Sequence, residues 1–284
     1  MKRIWVFLIS ALLTVAASMY QRSTGPSYPV KASVKVEGEV VKFTFPRSGT
    51  NENTKITIPS LYVKEGISGA SMPAEYQKQA ESYLFYKHYP STQKERYEKV
   101  KMTWENGYWI GFLPAQAAAG KLMYYAQADG QTYFKDEPMI IRYKSPVPAW
   151  ALIPHILAMF LAMFFAVSAG IFALLNQISY VKYMRLTLIA LLIGGFIFGP
   201  LVQKYAFGVY WSGFPLGLDF TDNKTLIALL AFLIAWTVQV FKKRSRWITF
   251  SATVVMLIVF CVPHSMGGSE LNRETGLVES SVNR

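Results

Sequence analysis

The stretch Trp150–Leu175 reads WALIPHILAMFLAMFFAVSAGIFALL and contains no charged residue. A run of this length exceeds the roughly 20 apolar residues that a helix needs to cross a hydrocarbon core of about 30 Å. Three further apolar runs follow it, at Leu186–Gln203, Thr225–Phe241 and Trp247–Val262. Because backbone groups inside a bilayer must hydrogen-bond to one another, all four runs are predicted to be membrane-spanning helices.

The composition agrees with a membrane protein. Of the 284 residues 52% are hydrophobic, and the mean hydropathy is +0.23, which indicates several membrane spans. The formal charge of +12 does not indicate nucleic acid, because the basic residues either flank the apolar runs or alternate with glutamates, as in residues 94–105. Cys261 is the single cysteine, which excludes a disulfide within one chain. No phosphate-binding loop, zinc-protease motif or serine-hydrolase motif occurs, which favours a protein that is not an enzyme.

The N-terminus carries its own apolar helix. Lys2 and Arg3 precede an apolar run from Ile4 to Ala17, and Ala16-Ala17-Ser18 has the small residues of a cleavage site. Residues 1–19 are therefore a signal peptide or a retained signal-anchor helix. In both cases the chain that follows is exported.

Residues 20–148 are predicted to form an exported all-β sandwich. Their alternating segments are rich in Val, Ile, Tyr, Phe and Trp and are separated by turn residues. The predicted strands are 32–36, 39–45, 55–58, 82–89, 97–104, 108–113, 121–127 and 138–143.

One part of this domain carries a family resemblance. The stretch Leu113–Gly130 has a proline, a glycine turn, a Tyr-Tyr strand and an Asp-Gly turn in succession. It resembles the late strands of fibronectin type III and other immunoglobulin-like domains. The resemblance implies a sandwich fold and leaves the function open.

Charge bias orients the chain in the membrane. Lys182 and Arg185 lie between the first two long runs, and the segment 242–246 holds four more basic residues, with no acidic residue at either place. The opposite loops contain Asp219, Asp222 and further acidic residues. The positive-inside rule then predicts a multi-pass protein of a bacterial inner membrane, with the β domain and the C-terminus on the periplasmic side.

His155 is the first candidate site residue. It lies about one turn inside the first long helix, on the same face as Ala158 and Ala162, so it is predicted to face the bundle. Gly195 and Gly199 offer a small-residue surface on the next helix. Two interpretations stay open: a hydrogen bond to a neighbouring helix or loop carbonyl, or a role in ligand or proton binding.

His264 is the second candidate, because it follows Pro263 at the end of the last helix, on the same predicted side as His155. If the two imidazoles meet, they could ligate a transition metal or a haem iron. If they do not, His264 is an interfacial residue after a helix end.

Residues 204–224 form an aromatic loop with Tyr210 and Trp211, and two interpretations of it stay open. Its aromatic residues are typical of an interfacial belt at headgroup depth, whereas its glycines and aspartates favour a folded cap in which Asp222 could N-cap the third long helix. Tyr210-Trp211 followed by Pro215, Asp219 and Lys224 is similar to the tryptophan-rich loop of cytochrome c biogenesis haem-handling proteins. That resemblance implies a haem-binding role for His155, His264, Tyr210 and Trp211.

The predicted fold class is thus a membrane α-helical bundle of four C-terminal helices, plus an N-terminal signal or anchor helix, with an exported all-β sandwich. The predicted boundaries are 1–19, 20–148, 149–271 for the four-helix domain and 272–284 for a disordered outer tail. We expect a non-enzymatic subunit or assembly factor of an envelope complex, with the lipid bilayer and a membrane or periplasmic protein as partners. The alternatives are a haem- or metal-binding redox or cytochrome-assembly protein, and a small transporter.

Overall fold

The computed structural model describes residues 3–36, 38–61, 81–91, 94–241, 245–263 and 267–280. The chain divides into a β unit, Ser27–Pro146, and a membrane unit, which consists of the N-terminal helix and the chain from Val147 onward. The N-terminal helix ends at Ser23 and the β unit begins at Ser27, whereas the predicted boundary lies between residues 19 and 20.

The β unit consists of short strands in three sheets. A six-stranded sheet has the order β3-β11-β9-β5-β6, with β10 paired to β9; a three-stranded sheet has the order β4-β8-β7; and β1 pairs with β2. The strands are β1 (Val30–Val36), β2 (Glu39–Phe45), β3 (Ser48–Gly49), β4 (Thr54–Pro59), β5 (Tyr83–His88), β6 (Glu98–Lys101), β7 (Thr103–Glu105), β8 (Tyr108–Leu113), β9 (Lys121–Ala128), β10 (Gln131–Tyr133) and β11 (Met139–Tyr143).

All eight predicted strands are present, with one break. The predicted strand 97–104 is interrupted at Met102, so that β6 joins the six-stranded sheet and β7 joins the three-stranded sheet. Met102 is buried, and its backbone N–H donates to the Ser82 carbonyl at 2.8 Å. A strand that changes sheet in this way links two packed layers.

Side chains of the larger two sheets share one apolar core. Alternation along β5 and β9 points Leu84, Tyr86, Leu122 and Tyr124 into this core. The β-sheet region that the sequence predicted is therefore confirmed. The sheets are small and do not close, so an all-β sandwich stays a prediction.

The predicted Asp-Gly turn lies between β9 and β10, and its aspartate links the two larger sheets. Asp129 and Gly130 both adopt positive φ, of 49° and 75°, which a tight hairpin turn requires. The Asp129 carboxylate accepts hydrogen bonds from the Trp109 indole at 2.7 Å, the Ser60 hydroxyl at 2.9 Å and the Leu61 N–H at 2.7 Å. A single turn residue therefore connects the two sheets.

The membrane unit contains five apolar helices: α1 (Arg3–Ser23), α2 (Ala149–Leu174), α3 (Ser179–Phe207), α4 (Phe220–Phe241) and α5 (Arg246–Cys261). The first four are long and apolar enough to cross a membrane. α5 has 16 residues and rises only about 24 Å, which is less than the crossing length predicted for Trp247–Val262. By length and composition alone, α1 to α4 qualify as spans among the described residues. α5 nevertheless extends between the two ends of the membrane unit, because Arg246 lies near Asn176 and Tyr180 whereas the Val262 carbonyl is bonded to Gln21 and Lys224.

Small residues bring α2 and α5 close together. A side-chain carbon at Gly170 would lie 2.7 Å from the Thr253 methyl group, so only glycine fits at this contact. The Thr253 hydroxyl donates to the Ala166 carbonyl at 2.8 Å. Small-residue contacts and hydrogen bonds of this kind hold helices together in lipid, where no hydrophobic force acts between them.

α3 contains a π-helical segment, Leu192–Phe198. Pro200 has no N–H, so the α-helical bond to the Phe196 carbonyl cannot form. In the wider π turn the Gly199 N–H instead donates to the Gly194 carbonyl. Such segments are rare and often occur at functional sites.

The C-terminal region forms a hairpin of β12 (Ser269–Leu271) and β13 (Val278–Ser280). The Asn272 N–H donates to the Leu277 carbonyl at 2.8 Å and closes the turn. The predicted disorder from residue 272 is thus replaced by an ordered hairpin as far as residue 280. The rest of that predicted tail lies outside the described residues.

Candidate functional site

A buried polar cluster lies where the α3–α4 loop, the start of α4 and the C-terminal hairpin meet. We call it the Ser212 cluster; its members are Gln203, Ser212, Asp219, Asp222 and Ser269. The Ser212 hydroxyl accepts from the Gln203 amide at 2.6 Å and lies 3.1 Å from Asp219 Oδ2, 3.3 Å from Asp222 Oδ2 and 3.2 Å from the Ser269 hydroxyl. Asp219 is 4% exposed and Ser269 is fully buried.

Each carboxylate of this cluster also accepts backbone N–H groups. Asp222 Oδ2 accepts from the Ser212 N–H at 2.7 Å, and Asp219 Oδ2 accepts from the Ser269 N–H at 3.2 Å. These bonds offset the cost of burying the carboxylates. They also fasten the loop and the hairpin to the first turn of α4.

Asp219 caps α4, and the prediction that Asp222 does so is wrong. The helix begins at Phe220, and Asp219 Oδ1 accepts from the Thr221 N–H at 2.8 Å, which is the bond of an N-cap residue. The apolar run begins only at Thr225, and the N-cap predicted from the sequence, Asp222, lies within the first turn of the observed helix. The polar first turn of α4 therefore begins three residues earlier than that predicted cap implies.

The α3–α4 loop is folded against α4, which agrees with the folded-cap interpretation of this segment. A side-chain carbon at Gly213 would lie 2.6 Å from the Asp222 side chain, so glycine is required for this close approach. The Phe214 N–H donates to Asn223 Oδ1 at 2.7 Å. The aromatic loop is thus a folded cap, and its exposed Tyr205, Tyr210 and Phe214 are also compatible with the interfacial belt.

A second group of polar contacts lies at the C-terminal end of α5. The Val262 carbonyl accepts from Lys224 Nζ at 2.9 Å and from Gln21 Nε2 at 3.2 Å, and Gln21 Nε2 also lies 2.9 Å from the Phe260 carbonyl. The last carbonyls of a helix have no partner within the helix and carry its partial negative charge. An amide from α1 and an ammonium from α4, which is only 4% exposed, satisfy them here.

The Ser212 cluster and the polar contacts at the end of α5 both have a structural role. Activation of a serine nucleophile needs a base that is itself free to take the proton. The carboxylates near Ser212 are buried and already bonded to backbone N–H groups, and Lys224 is bonded to a carbonyl. This arrangement joins α1, α4, α5, the cap and the hairpin at one end of the membrane unit.

His155 faces the bundle, as predicted, and contacts α3. Its Nδ1 lies 2.8 Å from the Gly194 carbonyl, the same oxygen that accepts the π-helical bond from Gly199. The neighbouring Ala158 packs against Gly194, whereas Gly195 packs against Thr225 of α4. Gly194 therefore packs against α2, and Gly195 packs against α4.

Trp211 contacts the same π segment as His155. Its ring stacks on Phe196 with centroids 5.6 Å apart, and its indole N–H donates to the Phe214 carbonyl at 3.1 Å. Tyr210 is 57% exposed and lies under the Lys204 ammonium, 5.2 Å from it. The structure thus gathers His155 and Trp211 around one stretch of α3 and leaves Tyr210 at the surface.

His264, the second predicted ligand, lies outside the described residues, so its pairing with His155 stays a prediction. Among the residues that the structure describes, no group of three or more His, Cys, Asp or Glu side chains could hold a metal ion.

The β unit carries a different kind of candidate site on the solvent side of its six-stranded sheet. We call it the aromatic–lysine face; its members are Tyr83, Phe85, Lys87, Tyr97, Lys99 and Tyr125. The rings of Phe85 and Tyr125 form a cross-strand stack at 4.6 Å, and Tyr97 meets Tyr125 edge to face at 5.0 Å. Lys99 Nζ stands 3.4 Å above the Tyr83 ring, and Lys87 Nζ 4.9 Å from Tyr97.

The tyrosines of this face stay neutral at ordinary pH. A hydrogen bond to Glu81 raises the pKa of Tyr83, and burial raises the pKa of Tyr97 and Tyr125. Lys101, which forms an exposed ion pair with Glu81 at 3.8 Å, and Lys121 extend the face along β6 and β9. The face therefore combines neutral aromatic surface with positive charge.

The residues that join the helices are not evident from the sequence pattern alone. Gln21 and Lys224 were signalled only by being polar residues at the edges of apolar runs, and their common acceptor is a backbone atom that no side-chain pattern reveals. The aromatic–lysine face was visible as alternation in 83–88 and 121–127 but not as one surface, because strand order was unknown.

Comparison with protein-family models, curated proteins and solved structures finds no match for this chain. The candidate sites therefore stand on their geometry.

We expect Lys224→Met to lower the free energy of unfolding by about 2 kcal/mol, because the helix-ending carbonyl loses a buried charged donor. Gln21→Leu should cost about 1 kcal/mol. Since both donors serve Val262, the double variant should deviate from additivity by at least about 0.5 kcal/mol. Equilibrium unfolding in mixed micelles measures all three values.

Lys204→Met is the matched control. Lys204 also donates to a helix-ending carbonyl, that of Gly208 at 2.8 Å, but it is exposed. Its loss should change stability by less than about 0.5 kcal/mol. If Lys224→Met costs no more than Lys204→Met, the structural role of Lys224 is wrong.

Proposed function

We propose that this chain is a multi-pass protein of a bacterial inner membrane, with its β unit in the periplasm. Lys182, Arg185 and Arg246 lie at one end of the membrane unit, which we call the basic end, and the acidic residues of that unit lie at the other. The positive-inside rule supports a cytoplasmic position for the basic end. The periplasmic end is then the one from which the β unit emerges.

We further propose that α1 is retained and not cleaved. The Ser168 hydroxyl of α2 donates to that of Ser10 at 3.0 Å, Val6 is fully buried, and Gln21 satisfies the end of α5. A signal peptide that leaves the protein would remove all of these contacts.

Intact-mass measurement of the purified protein tests this proposal. We expect the full mass of 32.1 kDa, and Ala16→Leu, which spoils the cleavage site, should leave the N-terminus unchanged. A protein that begins after residue 18, and becomes longer in the Ala16→Leu variant, would contradict it.

In function, we propose a non-enzymatic subunit or assembly factor of an envelope complex, with a sandwich-like β unit as its interaction domain. The observation that carries this proposal is the aromatic–lysine face. Tyr, Phe and other aromatic side chains are enriched at protein interfaces, where they supply large apolar area at low entropic cost. The lysines beside them favour an acidic segment of a partner protein. At the acidic end of the membrane unit, by contrast, Asp219, Asp222 and Lys224 are used in contacts within the chain.

Photo-crosslinking in living bacteria tests the proposed face. A crosslinking amino acid at Phe85 should give one discrete protein adduct, whereas the same group at Tyr108, an exposed position of the three-stranded sheet, should not. Lys99→Glu should reduce the Phe85 adduct by about fivefold or more, which corresponds to roughly 1 kcal/mol. Equal adducts at both positions would contradict a specific face, and substrate turnover by the purified chain alone would contradict the non-enzymatic role.

Haem or transition-metal binding is the second candidate function, with His155 and His264 as ligands and the loop of Tyr210 and Trp211 as a lid. One observation favours it: a His155 Nδ1–H that donates to the Gly194 carbonyl fixes the ring and leaves Nε2 as the ligand atom. Histidine ligands in metal sites are usually oriented by such a bond.

An optical spectrum and a metal analysis of the purified protein test this alternative. If it holds, the haem absorbance band or the bound metal should be stoichiometric, fall strongly in His155→Asn and persist in His88→Asn. Absence of both haem and metal from the natural protein would eliminate it.

A further inference from the structure

A cavity of about 440 Å³ lies at the basic end, among the ends of three membrane helices. Asn176 and Ile178 line it from the turn after α2, Tyr180 from the first turn of α3, and Arg246 from the start of α5. Its remaining lining residues are Ser245 and Trp247. Its volume lies within the range of about 300–1,000 Å³ that small-molecule sites occupy.

The walls of the cavity are fixed by hydrogen bonds. The Tyr180 hydroxyl donates to Gln239 Oε1 of α4 at 3.3 Å, and Gln239 Nε2 donates to the Ser245 carbonyl at 2.7 Å. One glutamine side chain therefore joins α3, α4 and the residue before α5. Hydrogen bonds between the helices therefore hold the walls of the cavity in place.

The lining suits an anion. Arg246 has no carboxylate within 4.0 Å among the described residues, and the sequence has no Asp or Glu from 138 to 218 or from 223 to 269. Asn176 and Ser245 add neutral polar groups. α5 also begins here without a side-chain cap, so its first N–H groups and its partial positive charge add to the field.

The same lining suits lipid. Trp247 and Ile178 are 56% and 55% exposed, and the Arg246 guanidinium lies 4.9 Å from the Trp247 ring. Tryptophan and arginine side chains at the end of a membrane helix lie at the depth of the headgroups, with apolar surface toward the acyl chains. Basic pockets between membrane helices are known to take anionic headgroups.

We propose that this cavity binds the headgroup of one anionic phospholipid, with Arg246, Asn176 and Ser245 around the phosphate and with Trp247 and Ile178 against the first part of the acyl chains. The lipid would join α2, α3 and α5 at the basic end. This site is independent of any partner of the β unit and of any ligand of His155.

The full chain in detergent, titrated with dioleoylphosphatidylglycerol or dioleoylphosphatidylcholine, tests the proposal. We expect native mass spectrometry to detect one tightly bound phosphatidylglycerol, and its affinity to exceed that of phosphatidylcholine by about tenfold or more. Thermal unfolding should shift upward with the anionic lipid only.

Arg246→Gln should abolish this preference, and Arg246→Lys, which keeps the charge but loses the planar fork, should retain part of it. Arg185→Gln is the matched control, because Arg185 is exposed on α3, outside the lining, and its loss removes the same charge at the same end. If Arg246→Gln does not fold, the conservative Ser245→Ala and Arg246→Lys variants decide, and unchanged lipid preference in both overturns the site.

Two other outcomes also overturn it. Equal loss in Arg246→Gln and Arg185→Gln would mean that general surface charge attracts the lipid. An equal stabilisation by inorganic phosphate alone would mean that the cavity takes free phosphate and that the acyl chains contribute nothing.

Discussion

The membrane unit depends on one constraint: a backbone polar group that is buried away from water must find a partner within the protein. The Val262 carbonyl is the place where this constraint acts most clearly. α5 ends there, and the donors that meet it come from Gln21 of α1 and Lys224 of α4. A buried ammonium is costly by itself, and its hydrogen bond to this carbonyl offsets part of that cost. Satisfying one helix end thus fixes the relative positions of three helices.

The same need to pair buried backbone polar groups shapes the π-helical segment of α3. Pro200 removes one N–H from the helix, and the chain responds with a wider turn in which the Gly194 carbonyl accepts from Gly199. That oxygen is also the one that His155 meets. The pattern Gly194-Gly195 matters because it lets α2 and α4 approach this turn from two sides. Gly194, Gly195 and Pro200 of α3 and the distant His155 of α2 therefore form one structural feature.

Local pattern predicted the strands and the apolar helices well, because alternation and long apolar runs depend only on neighbouring residues. It failed where the decisive partner was distant. Asp219 caps α4 instead of Asp222, because the helix extends beyond its apolar part. Met102 breaks a strand because of how two sheets pack. The hairpin after Ser269 is polar in sequence, yet the Ser269 N–H is held by the Asp219 carboxylate. His155 was predicted to face the bundle, but its acceptor is a backbone atom that composition does not reveal.

Charged side chains are paired differently at the two ends of the membrane unit. At the acidic end, side chains such as Asp219 and Lys224 turn inward and pair with backbone atoms, so this end is closed by the chain itself. At the basic end, Arg246 lines an open cavity and has no acidic partner in the described chain. A cation at headgroup depth is stabilised when a phosphate neutralises it. The acidic end is thus closed by contacts within the chain, whereas the proposed lipid headgroup would complete the open end by neutralising Arg246, which has no carboxylate partner among the described residues.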